Sequence, residues 1–288
     1  MIDLHSHTNA SDGRQSPSEL VLYAAQKKIS ILAITDHDTV AAHQEAQKAC
    51  NEQGITFVPG IEISVDWPQG EFHLLGHGIK NVSDELKNLI SNLQEERILR
   101  NSKMIEKMRA DGIDISLEEL STDSDGNKIK GTIGRPHFAD FLVRKNIVHT
   151  RQQAFDKYLG SGRLYYERNV GANLDQAISA IKSSGGVPVL AHPLSLYLGW
   201  SAMEPLFKDF FAKGIQGIEA WHPGARVGEC IRLEELARRL GFFVTAGSDF
   251  HGPGVRADRH LGHTAGNKKI EERFFYEELL PHIEWLSA

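Results

Sequence analysis

The amino-acid sequence predicts an α/β protein, a distorted (β/α)7 TIM-like barrel with a small helical domain inserted into it. Three observations predict this. Short apolar runs of strand length alternate with helical patterns along most of the chain. Histidines and carboxylates recur where those runs end, as they do on the C-terminal strand face of a barrel. Residues 81–171 then change character, becoming helical and partly basic, so that the expected barrel is split into 1–80 and 172–288.

The elements follow in order. Asp3-Leu4-His5-Ser6-His7-Thr8 opens the chain as a strand, and alternation places Asp3, His5 and His7 on one face. Two imidazoles spaced in this way can grip one metal ion, and Asp12 lies in the next loop within reach. Ser16-Pro17-Ser18-Glu19 predicts a helix start, with Ser16 capping, Pro17 in the first turn and Glu19 completing a capping box. The helix runs to about Lys28. Ile29 to Thr35 is a nearly continuous apolar run, suited to a strand buried on both faces, and it ends in Asp36-His37-Asp38. A helix over 40–53 stops at Gly54. The strand 55–64 carries Glu62, and the strand 71–79 offers His73 and His77.

From Ser83 to about Arg109 the chain is long and amphipathic, with Leu86, Leu89, Ile90, Leu93, Ile98, Met104, Ile105 and Met108 roughly at helical spacing. Residues 121–130 are polar and turn-rich; Asp123-Ser124-Asp125-Gly126 has neither the spacing nor the closing Glu of a calcium loop, so the stretch is expected to be a loop. Helices are expected again over 135–145 and 151–159, the whole packing over the barrel mouth. Asn173 restarts a helix. Val187 to Ala191 then forms a strand ending in His192-Pro193, and a helix over 203–213 leads to Glu219-Ala220-Trp221-His222. A last helix, 226–240, feeds the strand 242–246, which ends in Gly247-Ser248-Asp249-Phe250-His251. Seven strands result, four before the insertion and three after it.

Composition bounds the function. The 288 residues are 41% hydrophobic and 24% charged, ordinary for a globular protein. No apolar run approaches the ~20 residues needed to cross a bilayer, and the N-terminus enters a strand pattern at once, which leaves no room for a signal peptide. Cys50 and Cys230 are far apart and fit neither a disulfide framework nor a thiolate metal site. A cytoplasmic protein with no membrane contact and no obligate protein partner is expected. Net charge is −6, but Lys128 to Arg168 holds nine Lys or Arg against three acids. A basic segment beside an acidic metal site suits an anionic substrate such as a phosphate ester.

The residues gathered at strand ends are His5, His7, Asp12, His37, Glu62, His73, His192, His222, Asp249 and His251. Mixed imidazole and carboxylate suits zinc, manganese or iron over calcium or magnesium. The set exceeds what one ion can use, so two or three ions are expected, with Glu62 able to bridge a pair.

This motif series resembles the polymerase-and-histidinol-phosphatase (PHP) superfamily, in the family's order, over residues 1–80 and 172–270. The resemblance implies a distorted (β/α)7 barrel, phosphoesterase activity and up to three metals, manganese first, with zinc or iron as alternatives. It implies that His5, His7, Glu62 and Asp249 surround one ion and that Asp12, His37 and His251 hold another. Glu62 and His73, with His192 or His222, would hold a third. Within the insertion, Ile133-Gly134-Arg135-Pro136-His137-Phe138-Ala139, Ala154-Phe155 and Tyr158-Leu159-Gly160 resemble the branch that acts on nucleotides, whose members hydrolyse nucleoside 3′,5′-bisphosphates or degrade short RNA from the 5′ end. That branch often carries a Pro-Ala-Tyr-Val-like run where this chain has Arg163-Leu164-Tyr165-Tyr166. Arg135, at a helix N-terminus, suits a bidentate phosphate contact, and His137 is a candidate substrate-facing residue.

The function expected is therefore hydrolysis of nucleotide phosphate esters by a hydroxide held on the metals. His192 or His222 is the candidate proton donor, since histidine titrates near neutral pH. The alternatives are a histidinol-phosphate phosphatase, an amidohydrolase, which the absence of a strand Lys near Glu62 and His73 disfavours, and a non-catalytic metal-stabilised nucleic-acid-binding module.

Overall fold

The computed structural model describes residues 1–122, 131, 133–168 and 171–287. Residues 123–130, which include most of the expected 121–130 loop, lie outside this set. The chain forms two compact units, Met1–Ile90 with Gly171–Ala288, and Ser91–Val170.

The first unit is built on one seven-stranded sheet whose strands adjoin in chain order. These are β1 (Ile2–Asp3), β2 (Ile31–Ile34), β3 (Thr56–Val65), β4 (Phe72–His77), β5 (Val187–Leu190), β6 (Gly217–Trp221) and β7 (Phe243–Ala246). All neighbours are parallel except β4, which runs antiparallel to both β3 and β5. Just beyond β1 and β7, a parallel bridge pairs Ser6 with Phe250. There Asp249 N–H donates to His5 O at 2.9 Å and His7 N–H to Phe250 O at 2.8 Å. The sheet is thus a nearly closed barrel, in agreement with the fold predicted from sequence.

Helices α1 (Pro17–Gln26) and α2 (His43–Gln53) cover the early strands. The predicted capping box forms: Glu19 N–H donates to Ser16 Oγ, and Ser16 N–H donates to Glu19 Oε2 at 2.8 Å. Leu20, Val21 and Ala24 of α1 pack with Leu32 and Ile34 of β2. α2 starts at His43, later than the expected 40, because Val40 O is used in a turn by His43 N–H. Past β7, where no element was assigned from sequence, a short hairpin, β8 (His263–Thr264) with β9 (Lys268–Lys269), and a π-helical turn (Phe274–Leu279) complete the unit.

Helix α3 (Asp84–Ala110) runs from the first unit into the second. Leu86, Leu89, Leu93, Met104, Ile105 and Met108 are buried as expected, but Ile98 is 59% exposed. The stripe continues through Arg100 and Asn101 instead, both buried, with Asn101 Nδ2–H donating to Ile133 O at 2.9 Å. α4 (Leu117–Leu120), α5 (Arg135–Arg144) and α6 (Arg151–Ala154) follow, and the helix expected over 151–159 turns π-helical at Phe155. This unit has its own core, including Met104, Met108, Phe138, Phe141, Leu142 and Tyr165. α7 (Leu174–Ser183), α8 (Trp200–Lys213) and α9 (Val227–Arg239) return the chain to the barrel. Among the described residues no helix is long and apolar enough to cross a membrane. Both cysteines are free and buried.

Candidate metal centre

Glu62 is fully buried in β3, and a buried carboxylate requires partners. Its Oε2 lies 3.3 Å from His5 Nε2, 3.2 Å from His7 Nε2 and 3.0 Å from His37 Nδ1. Its Oε1 lies 2.9 Å from His73 Nδ1 and 3.0 Å from His192 Nε2. Asp249 Oδ1 faces His7 Nε2 at 3.3 Å, its Oδ2 faces His222 Nε2 at 3.3 Å, and Asp12 Oδ1 faces His251 Nε2 at 3.2 Å. The ten residues singled out at strand ends thus meet in one cluster.

Strand direction explains which histidine of β4 takes part. Because β4 is reversed, its start lies at the end of the barrel where the parallel strands finish. His73, opposite Ser64, is therefore brought to Glu62, while His77 pairs with Gly60 and Val187 at the other end. His77 is buried, neither ring nitrogen makes a hydrogen bond among the described residues, and burial lowers its pKa to about 3. Glycine shapes the opposite wall. A Cβ on Gly247 would stand 2.2 Å from His5 Cβ and 2.5 Å from Glu219 Oε1, so only glycine lets the end of β7 approach so closely.

Three groups offer ligand atoms all within 4.8 Å of one another: His7, Asp12, His37 and His251; His5, His7 and Asp249; His37, Glu62 and His73. Compared with the grouping implied by family resemblance, His7 and His37 are each shared between two groups. The donor set fits metal on a further count. Glu62 Oε2, His37 Nδ1 and His73 Nδ1 are buried and near one another, yet none has a hydrogen-bond partner among the described residues. Short separations without hydrogen-bond geometry leave their lone pairs directed into shared space, which a cation satisfies.

The ring protons can be assigned from partners. His5 Nδ1–H donates to Glu219 Oε1 at 2.9 Å, and His251 Nδ1–H to Asp249 O at 2.9 Å. Ser195 gives its single hydroxyl proton to Glu71 O at 2.7 Å, so it must accept from His192 Nδ1–H at 2.9 Å. In their neutral forms these three rings present a bare Nε2 to the cluster. His222 is the reverse: its Nδ1 accepts from Gly224 N–H at 3.1 Å, which leaves the proton on Nε2 facing Asp249.

Electrostatics follow from the crowding. Burial opposes charge on Asp12, Glu62 and Asp249, but facing histidines outweigh it and hold all three well below the usual carboxylate range. Burial likewise opposes charge on His7, but Asp249 and Glu62 outweigh it and raise its pKa to about 10. Glu219 and Glu62 raise His5 in the same way. Burial wins at His37, lowered to about 4, and lowers His222.

Supporting residues were harder to read from sequence. Glu219 orients His5 and accepts from His192 N–H at 3.0 Å; its signal was a charged residue inside the apolar run of β6. Asp3, placed on the ligand face by alternation, instead accepts from Ser248 N–H and Oγ–H, Gly262 N–H and His5 N–H. Asp36 accepts from Thr8 and Ser11 and fixes the loop that carries Asp12.

Arg135 and His137 belong to the second unit. The Arg135 guanidinium lies 5.4 Å from the centroid of the Tyr166 ring. His137 Nδ1 accepts from Gly134 N–H at 2.9 Å, so it caps the start of α5.

A family profile described as the PHP domain matches residues 3–169. The chain belongs to the PHP family. Among its relatives, a Chromobacterium violaceum protein named 3′,5′-nucleoside bisphosphate phosphatase is 35% identical over 263 residues, 91% of each chain. A Haemophilus influenzae protein named 5′-3′ exoribonuclease is 33% identical, over 87% of this chain and 90% of its own. A solved structure from Bifidobacterium adolescentis, assigned as a metal-dependent phosphoesterase, superposes with a TM-score of 0.83 at 30% identity, over 97% of this chain and 95% of that one.

Proposed function

We propose that this PHP protein is a metal-dependent hydrolase of nucleotide phosphate esters. Its first substrates are nucleoside 3′,5′-bisphosphates, which lose the 3′-phosphate; its second are short 5′-phosphorylated RNAs, cut from the 5′ end. The observation that carries the reading is the buried Glu62 carboxylate ringed by five imidazoles, with donor atoms left unpartnered around it. The names of the relatives support the substrate class.

Two to three divalent ions, manganese first and zinc or iron otherwise, would be held by His5, His7, Asp12, His37, Glu62, His73, His192, Asp249 and His251. Bound there, such ions activate water for attack and offset charge that develops on the phosphoryl oxygens. Glu219 and Ser195 hold His5 and His192 with Nε2 free for this work. His222, kept neutral near pH 7 by burial, offers Nε2–H as a hydrogen-bond donor to the leaving ribose oxygen. Arg135 and His137 are the proposed substrate contacts of the second unit, Arg135 by pairing with a phosphate; recognition of substrate is the role we assign to that unit. A nucleotide substrate also argues for the cytoplasm.

The test is phosphate release from adenosine 3′,5′-bisphosphate, histidinol phosphate and a short 5′-phosphorylated RNA, alongside metal analysis. Release from the first or third is expected. Hydrolysis of histidinol phosphate alone, or none of the three by metal-loaded protein, would overturn the reading. Asp12→Ala and His37→Ala should each lower turnover by more than about 10³-fold with the fold retained.

A further inference from the structure

Arg259 is a buried cation with an unused donor, and it stands next to the metal centre. Its side chain is 7% exposed; Nη1–H donates to Asp258 Oδ2 at 2.5 Å. Nε–H makes no hydrogen bond among the described residues and lies 3.6 Å from Asp249 Oδ2. Arg256, 53% exposed, reaches the same oxygen with Nη1 at 3.4 Å. A turn in which Arg259 N–H donates to Arg256 O brings the two side chains to one place. His222 Nε2–H already occupies that oxygen at 3.3 Å. A Cβ on Gly224 would stand 3.2 Å from Arg259 Nη2 and 2.9 Å from His222 Nδ1, so glycine there admits the guanidinium beside the imidazole.

One carboxylate oxygen therefore faces three donors, all beyond the usual 2.9 Å optimum, while the other oxygen of Asp249 faces the ligand histidines His5 and His7. Once Asp249 serves a metal, it has little charge left for two guanidinium groups. A buried Arg donor without an acceptor calls for an anion, and the fork of Arg matches phosphoryl oxygens. We infer that Arg259, assisted by Arg256, binds the phosphoryl group of the substrate beside His222 and the metals. The inference rests on the phosphoesterase reading above and adds to it the residues that grip the reacting phosphate.

Inorganic phosphate is the probe, titrated calorimetrically into metal-loaded protein, with metal content and thermal unfolding measured in parallel. Arg259→Ala should weaken phosphate binding by about 10–100-fold and Arg256→Ala by about 3–10-fold, at unchanged metal content. Unchanged phosphate binding in Arg259→Ala at full metal load would overturn the inference, since a guanidinium that only neutralises Asp249 gives that result. Should Arg259→Ala lose metal or fold, Arg256→Ala decides: weaker phosphate binding supports the inference, and unchanged binding sinks it. If the native protein hydrolyses no nucleotide, the substrate assignment fails while the phosphate titration still judges Arg259.

Discussion

Imidazoles crowd the carboxylates of Glu62 and Asp249, and they differ in where each ring keeps its proton. His192 spends its Nδ1–H in a chain of hydrogen bonds, His192 to Ser195 to Glu71 O, which leaves Nε2 bare in the neutral ring and suits the ligand role proposed for it. His222 is made a donor by Gly224, whose N–H occupies Nδ1. We therefore expect His192→Ala to lower the metal bound per chain. His222→Ala should keep its metal and lose about 10²–10³-fold in kcat, as for removal of one donor to a developing oxyanion. His222→Gln, which restores an N–H near the same place, should recover part of that loss; a Gln variant as poor as the Ala variant would rule out the donor role. The histidines themselves were legible in the sequence because imidazole at strand ends is a strong chemical signal. Their division of labour was not, because Ser195, Glu71 and Gly224 have no chemistry that marks them in advance.

Among the elements, β1 shows how little strand is needed when its contacts are strong. It is two residues long, and its closure onto β7 depends on Asp3. Oδ1 accepts from Ser248 N–H and His5 N–H, and Oδ2 accepts from Ser248 Oγ–H and Gly262 N–H. Burial pushes the pKa of Asp3 up to about 6, but four donors and no acceptor hold the ionised form. In Asp3→Asn either orientation of the amide turns an NH2 toward a backbone N–H. A loss of about 2–4 kcal/mol is expected in denaturant unfolding, and a change under about 0.5 kcal/mol would show that Asp3 does not close the barrel. Strand and helix positions were legible here because apolar periodicity reports burial. Direction was not: β4 reads the same forwards and backwards, so its periodicity offered both His73 and His77; the motif series selected His73, and the antiparallel register places it, not His77, beside Glu62. The buried phase of α3 failed at Ile98 for a related reason, since Arg100 and Asn101 take the apolar positions by bonding within the core.

For the molecule as a whole, the proposed metal site would link metal loading to barrel stability. In the metal-free chain Asp249 and Glu62 outweigh the cost of burying His7 and raise its pKa to about 10, and His5 and His73 are raised as well. A raised histidine stabilises the fold fully below its unfolded pKa of about 6.5 and ceases to as pH climbs through the folded value. Asp12, Glu62 and Asp249 are depressed, so their contribution is present above the ordinary carboxylate range and is lost only as pH falls. His37 and His77, lowered by burial to about 4 and about 3, also withdraw stability on the acid side. The alkaline loss of the metal-free protein is thus set by His5, His7 and His73, which Glu62 also raises. In the proposed metal-bound form the ions would take the place of these protons, and a ligand histidine has no proton left to lose at that nitrogen. Between about pH 7 and about pH 9.5, chelator-stripped protein should fall in Tm by roughly 3–6 °C while metal-loaded protein moves less than half as far. The gap between the two should widen with pH. A gap that stays constant or narrows would mean that the protons displaced by metal are not those of His5, His7 and His73, and the pairing of these rings with Glu62 would need another account.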